Sequence, residues 1–294
     1  MKKLIVFLLL LCFSASTATA IDRIRDFGEN PGKLTMFQYL PADIDSTEKH
    51  PLVLVLHGMM LSARSMKRCG GWNKLADSLG VFLLYPQQRF TNNIGRAFNV
   101  HFNDDLKKLH KETRSIRNMI DYLLDNYPVN PERIYITGLS AGGSMSNVML
   151  HAYPQLFRAG ALIAAPSTMP LNDRQLPEPL PRIAVIQGKR DRTVPPENAA
   201  HIMQEWKAAK NFSDEDADTV NNYLGNPYLH ARIYRKGNDV HLLRLDAEKT
   251  GHQMLTDPGE GVDKGGKWCI YSKNISFHLP YWIMDFFGLT GGNV

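Results

Sequence analysis

The sequence predicts an α/β fold, a mostly parallel central sheet with helices on both faces. Three features predict it. From residue 34 onward, short β-rich apolar runs alternate with longer segments of helical period. Most of the short runs lack strict polar and apolar alternation, which marks strands buried on both faces. A glycine-flanked serine also joins one such run directly to a helical segment.

Taken in order, the predicted strands are 36–40, 52–57, 81–85, 133–137, 159–164 and 183–187, each a short apolar stretch bounded by Pro, Gly or charge. Between them, 66–79, 113–126, 141–152 and 197–210 carry apolar residues at helical spacing, with Ile116, Ile120, Leu123 and Leu124 the clearest stripe. Residues 229–234 and 240–245 are expected to pair as strands, and 278–287 to form a closing helix. The intervening stretch 211–227 reads as a surface loop, acidic in its middle. Asp214, Asp216 and Asp218 open it with the spacing of a calcium loop, but Thr219 stands where glycine is needed and Gly225 where glutamate is needed, so no metal is expected there.

Residues 1–20 have the form of an export signal. Lys2 and Lys3 supply the charged start, ten apolar residues follow from Leu4 to Phe13, and small residues lead to Ala18-Thr19-Ala20, with cleavage expected after Ala20. Ten apolar residues reach about half of what a membrane span of roughly 20 needs. No later segment is long enough to span, so the mature protein is expected to be exported, extracellular or periplasmic, without a membrane anchor. With 294 residues and no repeat or Pro/Ser/Thr-rich linker, one domain over 21–294 is expected. Removing Lys2 and Lys3 takes the formal charge from +5 to +3, too slight to argue for nucleic acid. Cys69 and Cys269 remain after processing, in a compartment where disulfides persist. The sequence leaves both a bridge and two buried thiols open.

The chemistry centres on Gly138-Leu139-Ser140-Ala141-Gly142, a G-x-S-x-G placed between a predicted strand and a predicted helix. A serine in that strained turn needs small neighbours, because larger side chains would meet the adjoining strand or helix. About eighty residues earlier, a buried strand ends in His57-Gly58. Such an exit can supply backbone N–H groups to the oxyanion of acyl transfer, and Met59 and Ala141 are the candidate donors. His57 precedes the elbow and is read as structural. An acid and a base are expected after the serine in chain order. Asp191 lies just past the strand 183–187 and His252 just past the late strand pair, so they are the candidate acid and base. His278, at the start of the last helix, is the reserve base. There is no clustered Cys/His spacing, Walker sequence or dinucleotide fingerprint, so no cofactor is implied.

These residues resemble the secreted polyhydroxybutyrate depolymerase family of α/β-hydrolase esterases, which has feruloyl and acetylxylan esterase relatives. The likeness runs from about Leu34 to Leu289 and is carried by VLVLHG at 53–58, GGW at 70–72, AFN at 97–99, RIYITGLSAGGSM at 133–145, QGKRDRTVPP at 187–196 and GHQMLTDPGEG at 251–261. Asp257-Pro258-Gly259, Gly265-Gly266 and Phe286-Phe287-Gly288-Leu289 point to the depolymerase branch in particular. The resemblance implies the α/β-hydrolase fold, Ser140 as nucleophile, Asp191 as acid and His252 as base, with Met59 and Ala141 as oxyanion donors. Met59 departs from the cysteine that often follows His-Gly in the family, and Phe98-Asn99 from the commoner Trp-Asn. The expectation is a serine esterase acting on hydroxyalkanoate polymer or oligomers. Its rivals are a feruloyl or acetylxylan esterase with the same chemistry, and a hydrolase-fold binding protein without turnover.

Overall fold

The structure is a computed structural model describing residues 21–100, 106–167 and 176–291; the expected export signal lies outside them. Within the described residues the chain runs β1 (Asp22–Ile24), β2 (Thr35–Tyr39), β3 (His50–Leu56), α1 (Ala63–Gly70), α2 (Trp72–Leu79), β4 (Phe82–Gln87), α3 (Leu106–Asn126) and β5 (Val129–Leu139). It continues through α4 (Ala141–Ala152), β6 (Ala159–Ile163), β7 (Arg182–Gly188), α5 (Glu197–Lys210), β8 (Ala217–Asn221), β9 (Leu229–Lys236) and β10 (Asp239–Ala247). Two short strands, β11 (Met254–Thr256) and β12 (Ser272–Asn274), and a last helix, α6 (Leu279–Phe286), close it.

Ten strands form one sheet in the order β1-β2-β4-β3-β5-β6-β7-β10-β9-β8. The middle six, β4 through β10 in that order, are parallel, and the two outer strands at each edge join antiparallel. Period-2 geometry explains the two-sided burial. Along β3, Val53 and Val55 face one core with Trp72, Leu75, Met66 and Trp282, while Leu52, Leu54 and Leu56 face the other with Ile116, Ile120, Met149 and Trp206. Helices therefore cover both faces, as the uninterrupted apolar runs require.

The segment expected as one helix over 66–79 is two. Gly71 takes φ 71° and its N–H closes α1 on Lys67 O at 3.0 Å, while Trp72 starts α2. A Cβ at Gly71 would stand 2.7 Å from the backbone nitrogen of Gly266, so the break is set by a neighbouring loop. Both helices face the same core, and the helical period runs through the break unseen. The expected loop at 211–227 contains β8, whose Asp218 and Thr219 pair with Ile233 and Arg232 of β9. An edge strand with both faces largely in solvent carries no apolar alternation for sequence to read. The three aspartates there have local partners: Asp214 pairs with Lys207, Asp216 accepts from the Ser213 backbone and hydroxyl, and Asp218 lies 3.6 Å from Arg235.

Cys69 at the end of α1 is bonded to Cys269, 200 residues later, with Cα atoms 5.8 Å apart. The same seam carries Lys267 N–H to Arg68 O at 3.2 Å. Two outcomes follow from this packing. Iodoacetamide should leave Cys69 and Cys269 unmodified until reductant is added, as read by mass spectrometry. Trp206→Ala should cost about 3 to 5 kcal/mol in urea unfolding, because it opens a cavity in a fully buried site and removes the donor to Asn147 Oδ1 at 2.8 Å.

Candidate active site

Every loop named for chemistry leaves the same edge of the sheet, the carboxyl ends of the parallel strands, where open α/β sheets bind their ligands. The strand order reverses at β3: the chain steps out to β4 and returns to β5 on the other side. Leu56, the last residue of β3, pairs with Gly138 of β5, so the His57-Gly58 turn and the Ser140 elbow emerge side by side.

Ser140 has φ 57° and ψ −124°, a strained conformation for a residue with a side chain. Its N–H bonds Ile163 O at 2.8 Å, and its carbonyl accepts the Ser144 N–H at 3.0 Å as α4 begins. The flanking glycines are sterically required. A Cβ on Gly138 would collide with Gly142, and one on Gly142 would stand 2.6 Å from His57 O. Gly58 approaches from the other side, where a Cβ would lie 3.2 Å from Ser140 Cβ. The nominated donors are uncommitted. Ala141 opens α4, where an N–H has no intrahelical acceptor. Met60 and Leu61 give their N–H groups to Gly95 O and Gly58 O, whereas the Met59 N–H has no protein acceptor among the described residues.

Asp191 and His252 meet although 61 residues separate them, with Nδ1 to Oδ2 at 2.7 Å. Parallel pairing of Ala247 with Gly188 brings the two loops out together, and Lys189 N–H to Ala247 O (3.0 Å) and Arg190 N–H to Thr250 O (2.8 Å) join them further. Asp191 is not the surface carboxylate that its three basic neighbours would suggest. Its side chain is buried, and Lys189 pairs with Glu248 instead. Oδ1 accepts the N–H groups of Thr193 (2.9 Å) and Val194 (2.8 Å), and Oδ2 also receives Gln187 Nε2 at 3.3 Å. A carboxylate so surrounded by donors calls for a proton on His252 Nδ1, which leaves Nε2 as the basic nitrogen. Tyr271 stands edge-on to the imidazole at 6.4 Å and 86°. Gln187 and Tyr271 are supports that sequence reasoning missed. An Asp-x-Thr-Val turn was the readable signal for the amide contacts alone.

The other histidines fall elsewhere. His57 is fully buried, with Nδ1 at 2.8 Å from Gly58 O and Nε2 accepting the Gln88 N–H at 3.0 Å, so its tautomer is set and both ring nitrogens are engaged by the backbone. Burial pushes its pKa down to about 4. His278, the reserve base, is buried at the start of α6 with Nε2 at 2.9 Å from Gly70 O, and its ring fills the space a Cβ on Gly265 would need. Among the described residues no group of three or more His, Cys, Asp or Glu side chains could hold a metal ion.

Known proteins share this fold. Over 92% of this chain and 100% of the other, the fold superposes on an acetyl xylan esterase from Aspergillus awamori with TM-score 0.72 at 18% identity. The chain has the α/β-hydrolase fold. Residues 72–178 match the prolyl oligopeptidase family, a span that contains the elbow but neither Asp191 nor His252. In sequence the chain is 29% identical to poly(3-hydroxyalkanoate) depolymerase C of Paucimonas lemoignei, over 96% of this chain and 73% of that one. It is 26% identical to an acetylxylan esterase of Coprinopsis cinerea, over 69% of this chain and 62% of that one, and 27% identical to feruloyl esterase B of Neurospora crassa, over 68% and 78%. The expected resemblance is therefore found.

The buried His57 makes stability depend on pH. Its pKa is lower folded than unfolded, where it lies near 6.5, so between those values the unfolded chain holds more protons and acid favours unfolding. Its contribution is complete above about pH 6.5 and is lost as pH falls to about 4, on the order of 3 kcal/mol. Thermal midpoints recorded across that window should fall toward acid, with a shallower slope in His57→Gln.

Proposed function

We propose that this α/β-hydrolase is an exported serine esterase whose substrates are hydroxyalkanoate polyesters or their oligomers. The observation that carries the substrate class is the extent of the likeness to the poly(3-hydroxyalkanoate) depolymerase, 96% of this chain, against 68–69% for the feruloyl and acetylxylan esterases. Residues 21–294 would act as one catalytic domain after cleavage behind Ala20. No helix among the described residues is long and apolar enough to cross a membrane.

In this reading Ser140 Oγ attacks the ester carbonyl carbon while His252 Nε2 takes its proton. Asp191 holds the imidazole by Nδ1 and stabilises the imidazolium that forms. The carbonyl oxygen becomes an oxyanion and is met by the N–H groups of Met59 and Ala141, two fixed dipoles that need no reorganisation as charge develops. The imidazolium then protonates the leaving alkoxide, which departs as the alcohol. Water, activated by the same nitrogen, releases the acid from the acyl-enzyme. The bond between Asp191 and His252 at 2.7 Å and the strained Ser140 support these roles.

A plant-wall esterase is the second reading, favoured by the superposition on the acetyl xylan esterase along that chain's entire length. It differs only in the pocket.

Purified protein should release 3-hydroxybutyrate from amorphous polyhydroxybutyrate, with feruloyl and acetyl esters assayed in parallel and Ser140→Ala as the blank. Turnover of the small esters alone would replace the polyester by the plant-wall substrate. Asp191→Asn should lower kcat on any accepted ester by roughly 10³ to 10⁴, because the imidazole would be held in the wrong tautomer. A fluorophosphonate should label Ser140; failure to label would revive the binding-protein alternative.

A further inference from the structure

Behind the turn that carries Met59 lies a chain of buried polar side chains which belongs to none of the roles above. Glu112, on α3, is 2% exposed. Its Oε1 accepts from Gln88 Nε2 at 2.6 Å and from Asn99 Nδ2, and its Oε2 accepts the Asn99 N–H at 3.0 Å. The Gln88 backbone N–H donates to His57 Nε2 at 3.0 Å, and His57 Nδ1–H donates to Gly58 O at 2.8 Å. A buried carboxylate carries a heavy desolvation cost unless donors converge on it, so its position is a specific one.

The last bond in this chain decides a direction. Gly58 O and the Met59 N–H belong to one peptide plane, and in a trans peptide they point opposite ways. Whatever holds the carbonyl therefore aims the amide. Gly58 O is held twice, by His57 Nδ1 and by the Leu61 N–H at 3.1 Å. A second arm reaches the same turn from the far end of the 88–99 loop. Asn99 is tied to Glu112, and within the loop Gly95 O accepts the Met60 N–H at 2.7 Å. Phe98 packs on the His57 ring, centroids 5.1 Å apart, and closes the space around it.

We infer that Glu112, acting through Gln88 and His57, orients the Gly58–Met59 peptide so that the Met59 N–H faces the oxyanion beside Ser140. This rests on the serine-esterase reading. It makes Glu112, Gln88 and His57 positioning residues, since none of them touches the reacting atoms. Glu112→Gln replaces one of two accepting oxygens by a donor: with its oxygen kept against Gln88 Nε2 and Asn99 Nδ2, its NH2 group faces the Asn99 N–H. Gln88→Met removes the bond to Glu112, together with the Oε1 acceptor of the Arg89 N–H and Asn92 Nδ2, and keeps the backbone donor to His57.

The test compares wild type, Ser140→Ala, Glu112→Gln and Gln88→Met on p-nitrophenyl butyrate. The affinity of each for butylboronic acid, whose tetrahedral adduct with the serine places an oxygen at the oxyanion position, is measured alongside. Misaiming one donor should lower kcat by roughly 10- to 100-fold and weaken the boronate by a similar factor, with KM changed less than about threefold. A brace that serves stability alone would lower the thermal midpoint and leave kcat and boronate affinity within about twofold, and that result in either folded variant overturns the inference. Loss of kcat without loss of boronate affinity overturns it as well. If Ser140→Ala keeps full activity, the esterase reading itself fails; an inactive Ser140→Ala beside an unaltered Glu112→Gln removes only the brace.

Discussion

The end of β3 and the first turn of α4 touch backbone to backbone, and the candidate site is arranged around that contact. No side chain fits between them: a Cβ on Gly142 would stand 2.6 Å from His57 O, and a Cβ on Gly138 would run into Gly142. The close approach lets the chain turn from β5 into α4 within one residue, and Ser140 carries the resulting positive φ. It also brings Gly58 beside the serine, so the candidate nucleophile and both candidate oxyanion donors come from two adjoining strand ends. A methyl group at any of these glycines would push apart groups that, in the proposed reaction, share one substrate carbonyl.

The candidate acid and base are held by an equivalent contact three strands away. Gly188 ends β7 against the backbone of Thr250 and Gly251, and a Cβ there would collide with both. The loops after β7 and β10 are consequently joined before any side chain is considered, and the Asp191 to His252 bond completes the joint. Turn amides and Gln187 occupy the remaining lone pairs of Asp191, so the carboxylate has one orientation. The imidazole is steadied from its other side by Tyr271, which lies two residues from Cys269 and so near the covalent tie to α1.

These two joints differ in what supports them from behind. The Asp191 and His252 joint leans on a disulfide and on the hairpin of β9 and β10. The elbow and the Gly58–Met59 turn lean on a polar chain running from α3 through Gln88 to His57. Each moves the demand for precision away from exposed loops, where Met59 and Met60 are more than half exposed, and onto buried groups that cannot shift. A sheet with rigid parallel strands and variable exits suits such an arrangement, because the strands set where loops begin and the buried supports set where they end.

The sequence by itself determined the parallel sheet, the helices 141–152 and 197–210, the elbow at Ser140 and the chain order of Asp191 and His252. Each of these is written in local pattern: apolar runs too uniform for a half-exposed sheet, helical period, and small residues on both sides of a serine. Tertiary structure decided the rest. The break at Gly71 depends on a loop almost two hundred residues away, and β8 is a strand only because β9 offers it an edge. The bond between Cys69 and Cys269 and the contact of Tyr271 with His252 likewise join distant positions. So does the convergence of Gln88, Asn99 and Glu112, which in sequence are three unremarkable polar residues on a loop and a helix. Hydrogen bonds and steric contacts between distant segments leave no periodicity in the chain, so their partners become known only when the fold brings them together.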